Sequence, residues 1–284
     1  MQGPRQIPPG KKSFRAQRPG GDPRTDRNTR PEAPPSRGSG PATFRDILKS
    51  EEKPTTIRRE SPTHWLYLHG FGSSPDSPKA TFFGNQLRAA GFPVAIPDLN
   101  VPSFERLTIT AALEEIDRSV SDFPPTAKIG IVGSSLGGLL ALYTAARHPN
   151  VCYLMLLAPA LGLFRVNFVG LGQTGVRAWE REGFLDVRGP ETGESRRLSA
   201  EFVQDARKHD ERDLRLSIPV TIVHGQRDHL VDPHLSVTYT RAHHNVKLHL
   251  VDDDHSLQES CTQIWEWLRI DTRPRIDLRR ETAE

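Results

Sequence analysis

The sequence predicts an α/β fold, a mostly parallel sheet with helices on both faces. Three observations carry this expectation. From Thr63 onward, short apolar runs alternate with helix-period segments, the order of connections that a parallel sheet needs. The run Val151–Leu157 is apolar throughout and of strand length, as a strand covered on both faces should be. A glycine cluster, Gly133 to Gly138, sits between one such strand and the helix that follows it.

The elements follow in order. His64–His69 is an apolar run ending at Gly70, which suits a strand. Ser77-Pro78 reads as a helix start, with serine as N-cap and proline in the first turn. Ala80, Phe83, Leu87 and Ala90 continue at helical spacing until Gly91. Val94–Pro97 is a brief strand, and Ile109, Leu113, Ile116 and Val120 mark a second helix. Lys128–Val132 is a strand, followed by the helical positions Leu136, Leu139, Leu140 and Tyr143. After Val151–Leu157 the rhythm breaks. Between Pro159 and Ser217 no strand is evident, only helical pieces such as Ser199–Lys208 and glycine joints at Gly170–Gly175. This stretch is too long for a simple connection, so residues 160–216 are expected to form a small lid over the strand ends. Val220–His224 and Val246–Val251 are two further strands. Leu257, Cys261, Ile264 and Leu268 close the domain with a helix.

Composition sets the boundaries. The chain has 284 residues, of which 36% are hydrophobic, below the roughly 45–50% usual when glycine is included. Residues 1–60 carry 14 Lys and Arg against 7 Asp and Glu, with 10 Pro and 6 Gly. Such a segment buries too little to offset the entropy of ordering it. It is expected to be a disordered basic tail, with at most a short helix near Thr43–Ser50. The folded body then spans 61–270, and 271–284 reads as a frayed end. The tail carries no interleaved aromatic residues for base stacking, so no nucleic acid is required. Two cysteines, Cys152 and Cys261, exclude a disulfide scaffold, and zinc-ligand spacing is absent. No run of 18 apolar residues predicts a membrane span, and the N-terminus lacks a secretory apolar stretch. A cytoplasmic protein is expected.

The chemistry centres on Gly133-Ser134-Ser135-Leu136-Gly137. It matches G-x-S-x-G in the strand–turn–helix setting that exposes a nucleophilic serine. No Lys-Ser/Thr ending makes it a phosphate loop. A serine hydroxyl needs a base, and His255 follows the last strand at its carboxyl end. His243 and His244 precede that strand, His249 lies within it as a packed histidine, and His229 and His234 sit in the loop before it. An acid must orient the base. Asp228 follows the strand Val220–His224, with Asp232 a close competitor and Asp252, Asp253 and Asp254 further rivals. Three adjacent acids without the spacing of an oxygen-ligand loop read as a solvated turn, not a metal site. The oxyanion would take the N–H groups of Leu136 and of Phe71, in His69-Gly70-Phe71-Gly72. In the lid, Phe164, Phe168 and Trp179 are expected to line an apolar acyl pocket.

These residues together resemble the α/β-hydrolase fold, and more narrowly the YqiA-like esterases. The resemblance rests on Tyr67-Leu68-His69-Gly70-Phe71, Ser73-Ser74-Pro75, Ser77 and Lys79-Ala80, with Gly133-Ser134-Ser135-Leu136-Gly137-Gly138, over residues 63–270. It implies Ser135 as nucleophile, Asp228 as acid and His255 as base. It implies a small-molecule acyl ester or thioester as substrate, and no metal or organic cofactor. The enlarged lid and the tail depart from that group. The same triad also serves acyl transfer and perhydrolysis, and the fold also occurs in non-catalytic binding proteins. Residue types do not separate these.

Overall fold

The computed structural model describes residues 60–162, 171–188, 193 and 195–272. The expected tail before Glu60, its helix near Thr43–Ser50, and Phe164 and Phe168 lie outside the described residues.

In chain order the first half contains β1 (His64–Leu68), α1 (Pro78–Ala89), β2 (Val94–Ala95), α2 (Ile109–Ser121), β3 (Ile129–Ser134), α3 (Leu136–Arg147) and β4 (Val151–Leu157). The second half contains α4 (Gly172–Glu182), β5 (Phe184–Arg188), β6 (Ser195–Ser199), α5 (Glu201–Ala206), β7 (Val220–Gly225), α6 (Pro233–Ala242), β8 (Val246–Val251) and α7 (Cys261–Thr272). Six strands form one sheet in the order β2-β1-β3-β4-β7-β8, and every pairing is parallel.

Side chains alternate across a strand, and the two faces hold separate cores. Trp65, Tyr67, Val132, Tyr153, Met155 and Leu157 pack with Phe83 and Leu87 of α1 and Ile264 and Leu268 of α7. Leu66, Leu68, Ile131, Leu154 and Leu156 pack with Ile116 of α2, Leu139 of α3 and Tyr239 of α6. The sheet is covered on both sides, which is why Val151–Leu157 is apolar without interruption.

Three features differ from the sequence expectation. The lid is not strand-free: β5 and β6 pair antiparallel, with Leu185 opposite Leu198 and Val187 opposite Arg196. Only one side of this hairpin is covered, and Arg196 and Arg197 mask its alternation in the sequence. Residues 233–242 form α6 rather than a loop, so His234 stands in its first turn. The signal was Asp232 followed by Pro233, an N-cap and first-turn pair. At the other end, α7 runs through Thr272. Asp271 accepts from Tyr153 Oη at 3.1 Å and Thr221 Oγ1 at 2.8 Å, so it belongs to the fold rather than to a frayed end. Ser77 and Pro78 do open α1, but the Ser77 side chain makes no capping bond.

Candidate active site

Ser135 occupies the turn between β3 and α3 with φ 53° and ψ −114°. A non-glycine residue held there costs about 1–3 kcal/mol and persists only when its surroundings over-determine it. They do so here. Ser135 N–H donates to Leu157 O at 2.8 Å, and its carbonyl accepts from Gly138, Leu139 and Ala160. The flanking glycines are needed for close approach. A Cβ on Gly133 would stand 2.5 Å from Gly137 O, and one on Gly137 would stand 2.1 Å from Leu68 O. Helix α3 therefore starts hard against the carboxyl end of β1.

His255 reaches this turn from the loop after β8. Its Nε2 lies 3.1 Å from Ser135 Oγ, and its Nδ1 lies 2.7 Å from Asp228 Oδ2. A carboxylate can only accept, so Nδ1 carries the proton and Nε2 is left to accept from the serine hydroxyl. The imidazole is 21% exposed and the Asp228 side chain 0%, so the acid is dry while the base still meets the solvent side. Asp228 Oδ1 accepts from the N–H groups of Leu230 and Val231 at 2.8 and 2.9 Å. Burial pushes the Asp228 carboxyl up. Hydrogen bonds from His224, His255 and Val231 outweigh this and hold it far below the ordinary carboxylate range.

The loop carrying His255 is pinned by a residue that the sequence reading placed in a solvated turn. Asp253 is 2% exposed and accepts from Ser260 N at 3.0 Å and Ser260 Oγ at 2.8 Å. Asp252 and Asp254 are exposed, and Asp254 caps Ser256. Only the middle acid faces inward, which three identical letters do not reveal. Asp232, the rival for the triad acid, accepts from His234 N at 2.9 Å and caps α6. His249 stacks on Trp267 with centroids 3.9 Å apart, within its strand. Among the described residues, no group of His, Cys, Asp and Glu is arranged to hold a metal ion, and no helix is long and apolar enough to cross a membrane.

The loop after β1 lies beside the serine: a Cβ on Gly70 would stand 3.3 Å from Ser135 Cβ. His69, 2% exposed, shapes this loop. Its Nε2 accepts from Leu99 N at 3.0 Å, so its Nδ1 carries the proton and donates to Gly70 O at 3.0 Å. The sequence reading gave His69 no such role. The Phe71 ring sits between Phe104 and Phe202, with centroids 5.3 and 5.7 Å away. Leu136 is the first residue of α3, where an N–H has no intrahelical acceptor and the helix dipole favours negative charge. Trp179 is 1% exposed; its indole N–H donates to Leu198 O at 3.0 Å, and its ring stacks on Phe202. Phe202 in turn lies against Phe71, in the loop whose Gly70 adjoins the serine. The structure thus brings Ser135, His255 and Asp228 into one hydrogen-bonded line, with Phe71 on the loop after β1 and Leu136 at the start of α3 beside it.

Known proteins share this arrangement of elements. The chain is similar to the thermostable monoacylglycerol lipase of Bacillus sp. (strain H-257), with 25% identity over 189 residues, covering 61% of this chain and 73% of that protein. Among solved structures it is similar to Est1E from Butyrivibrio proteoclasticus, with TM-score 0.60 and 22% identity over 75% of this chain and 90% of that one. It is also similar to alpha/beta hydrolase domain-containing protein 10 from mouse, with TM-score 0.63 and 20% identity over 74% and 90% of the two chains. The family UPF0227, described as an uncharacterised protein family, matches residues 64–271, and the chain belongs to that family and carries the α/β-hydrolase fold.

Proposed function

We propose that the chain is a serine hydrolase of carboxylic esters, working through an acyl-enzyme. Ser135 Oγ attacks the acyl carbonyl carbon as His255 Nε2 takes its proton. The N–H groups of Leu136 and Phe71 receive the developing oxyanion, each such donor being worth roughly 10²–10³ in turnover. The tetrahedral adduct collapses, the ester C–O bond breaks, and His255 returns the proton to the departing alcohol. Water then gives a proton to His255 as it attacks the acyl-serine, the bond from the acyl carbon to Ser135 Oγ breaks, His255 returns the proton to Ser135, and the acid leaves. Asp228 keeps Nδ1 protonated and steadies the imidazolium that forms in each half. A thioester fits the same steps with a thiol departing. Phe71, half-buried and backed by the buried rings of Phe104 and Phe202 with Trp179 behind them, offers an apolar face for the acyl chain.

The observation that carries this reading is the unbroken Ser135–His255–Asp228 line at 3.1 and 2.7 Å. The names of its relatives, a monoacylglycerol lipase above all, favour a carboxylic ester. Labelling with a fluorophosphonate tests it. Intact-mass spectrometry should find one adduct on Ser135 in the native chain and none in Ser135→Ala, which should also lose hydrolysis of p-nitrophenyl esters. Ser134→Ala should label and turn over normally, since Ser134 belongs to β3 and is 4% exposed. An adduct on Ser134, or none at all, would leave a binding protein as the better reading.

A further inference from the structure

The mechanism above gives no task to His224, yet that ring reaches the same carboxylate oxygen as His255. Its side chain is 0% exposed. Its Nε2 lies 3.0 Å from Asp228 Oδ2 and 3.1 Å from Val231 O. Both neighbours are acceptors, so Nε2 carries a proton. Its Nδ1 lies 2.7 Å from Ser236 Oγ, whose hydroxyl donates to the neutral ring from α6. Asp228 Oδ2 therefore receives two imidazole N–H groups, while Oδ1 receives two backbone N–H groups. All four principal lone-pair sites of the carboxylate are used.

We propose that His224 is a positioning residue of this site: anchored on α6 by Ser236, it holds Asp228 Oδ2 against His255 and draws off part of that oxygen's charge. The proposal rests on the triad reading and extends it to a line of five side chains, Ser236–His224–Asp228–His255–Ser135. A buried histidine kept only for packing would act on stability alone. One that donates to the shared oxygen acts on His255 as well. Donation favours the charged carboxylate and weakens its hold on the His255 proton. Without His224, more of the negative charge of Oδ2 faces His255, the imidazolium is favoured, and the base becomes protonated at higher pH. Asp228 also loses one of the four donors that oppose rotation about its terminal bond.

Other charged or titratable groups surround this line. Lys79 comes from α1, Arg227 from the loop that carries Asp228, Asp253 and Asp254 from the turn after β8, and Cys261 from the start of α7. None changes between His224 variants, so a difference among those variants isolates this ring.

The experiment uses the full chain and a short p-nitrophenyl ester, with kcat and kcat/KM followed from acid to alkaline pH. His224→Phe removes the donor. His224→Gln keeps an N–H near the position of Nε2. The phenylalanine variant should lose about tenfold or more in kcat, a fraction of the 10²–10⁴ of general-base catalysis. The acid limb of its kcat/KM profile should move up by about half a pH unit or more. The glutamine variant should restore the limb and most of the turnover. Should His224→Phe not fold, His224→Asn replaces it, since that shorter amide is equally polar but does not reach Oδ2. If the limb stays in place in the variant lacking the donor, or if the glutamine variant fails to restore it at equal melting temperature, the proposal is overturned. Fluorophosphonate labelling separates this failure from that of the triad reading. Native chain that labels on Ser135 while the limb is unmoved removes His224 alone; native chain that does not label removes both.

Discussion

Asp228 and Asp232 are four residues apart in the sequence, and one substitution in each distinguishes their tasks. In Asp228→Asn the amide offers one acceptor and one donor group to four N–H donors. If its oxygen stays with Leu230 and Val231, its NH2 faces the N–H groups of His224 and His255, which approach Oδ2 at 3.0 and 2.7 Å. To escape this clash His255 must turn to the tautomer with Nε2 protonated, and Nε2 then no longer accepts from Ser135. The corresponding change in the Ser-His-Asp worked case lowers kcat by about 10⁴, or about 5.5 kcal/mol at 1.36 kcal/mol per decade. The His224 N–H left opposing the amide NH2 costs about 1–3 kcal/mol, and the folded state should lose about that much. In Asp232→Asn the side chain still caps α6, where asparagine and aspartate are nearly equivalent, and both turnover and stability should stay within about 0.5 kcal/mol. The assay is kcat/KM on a short p-nitrophenyl ester, with melting followed by circular dichroism. Acid adds a second readout. The folded-state pKa of Asp228 lies below its unfolded value, so its ionised form contributes stability above the ordinary carboxylate range, and that stability is lost as pH falls toward the folded value. The stability–pH curve of Asp228→Asn should therefore be flatter in the acid region. A crippled Asp232→Asn, or an Asp228→Asn within tenfold of the native turnover, would refute the reasoning.

Two further substitutions test the supports of the site. A Cβ on Gly225 would stand 2.4 Å from the carbonyl oxygens of both Asp253 and Asp254. Gly225→Ala should push the His255 turn away from β7 and lower kcat by about 10²-fold, as a displacement of about 1 Å does elsewhere; turnover at the native level would show that this turn yields freely. Trp179→Phe keeps a ring against Phe202 but loses the bond to Leu198 O, which should cost about 1 kcal/mol in a urea titration. If Trp179 backs the acyl wall, the preferred ester chain length should shift, whereas equal losses on short and long esters would confine it to lid packing.

Much of this architecture is readable from local pattern. Strand and helix periods differ, so the central strand Val151–Leu157 and the helix over Ile109–Ser121 follow from apolar spacing alone. The tight turn at Ser135 is written in its glycines, because no other residue allows α3 to approach β1 so closely. The hairpin β5–β6 and the helix α6 were hidden for a local reason: one is half-covered and arginine-rich, and the other begins in a loop dense with polar residues. The roles of His224, Asp253 and His69 are of another kind. Each depends on which group meets a side chain across the fold, and aspartate or histidine looks the same in sequence whether it faces water or a partner. Asp228 and Asp232 have similar surroundings as letters. The parallel register that sets Gly225 beside Val251 brings the loop after β7 against the turn after β8, and that packing sets Asp228 beneath His255 while Asp232 caps α6. Periodicity is a property of neighbouring residues, whereas the choice between two acids is made by the distance between two strands.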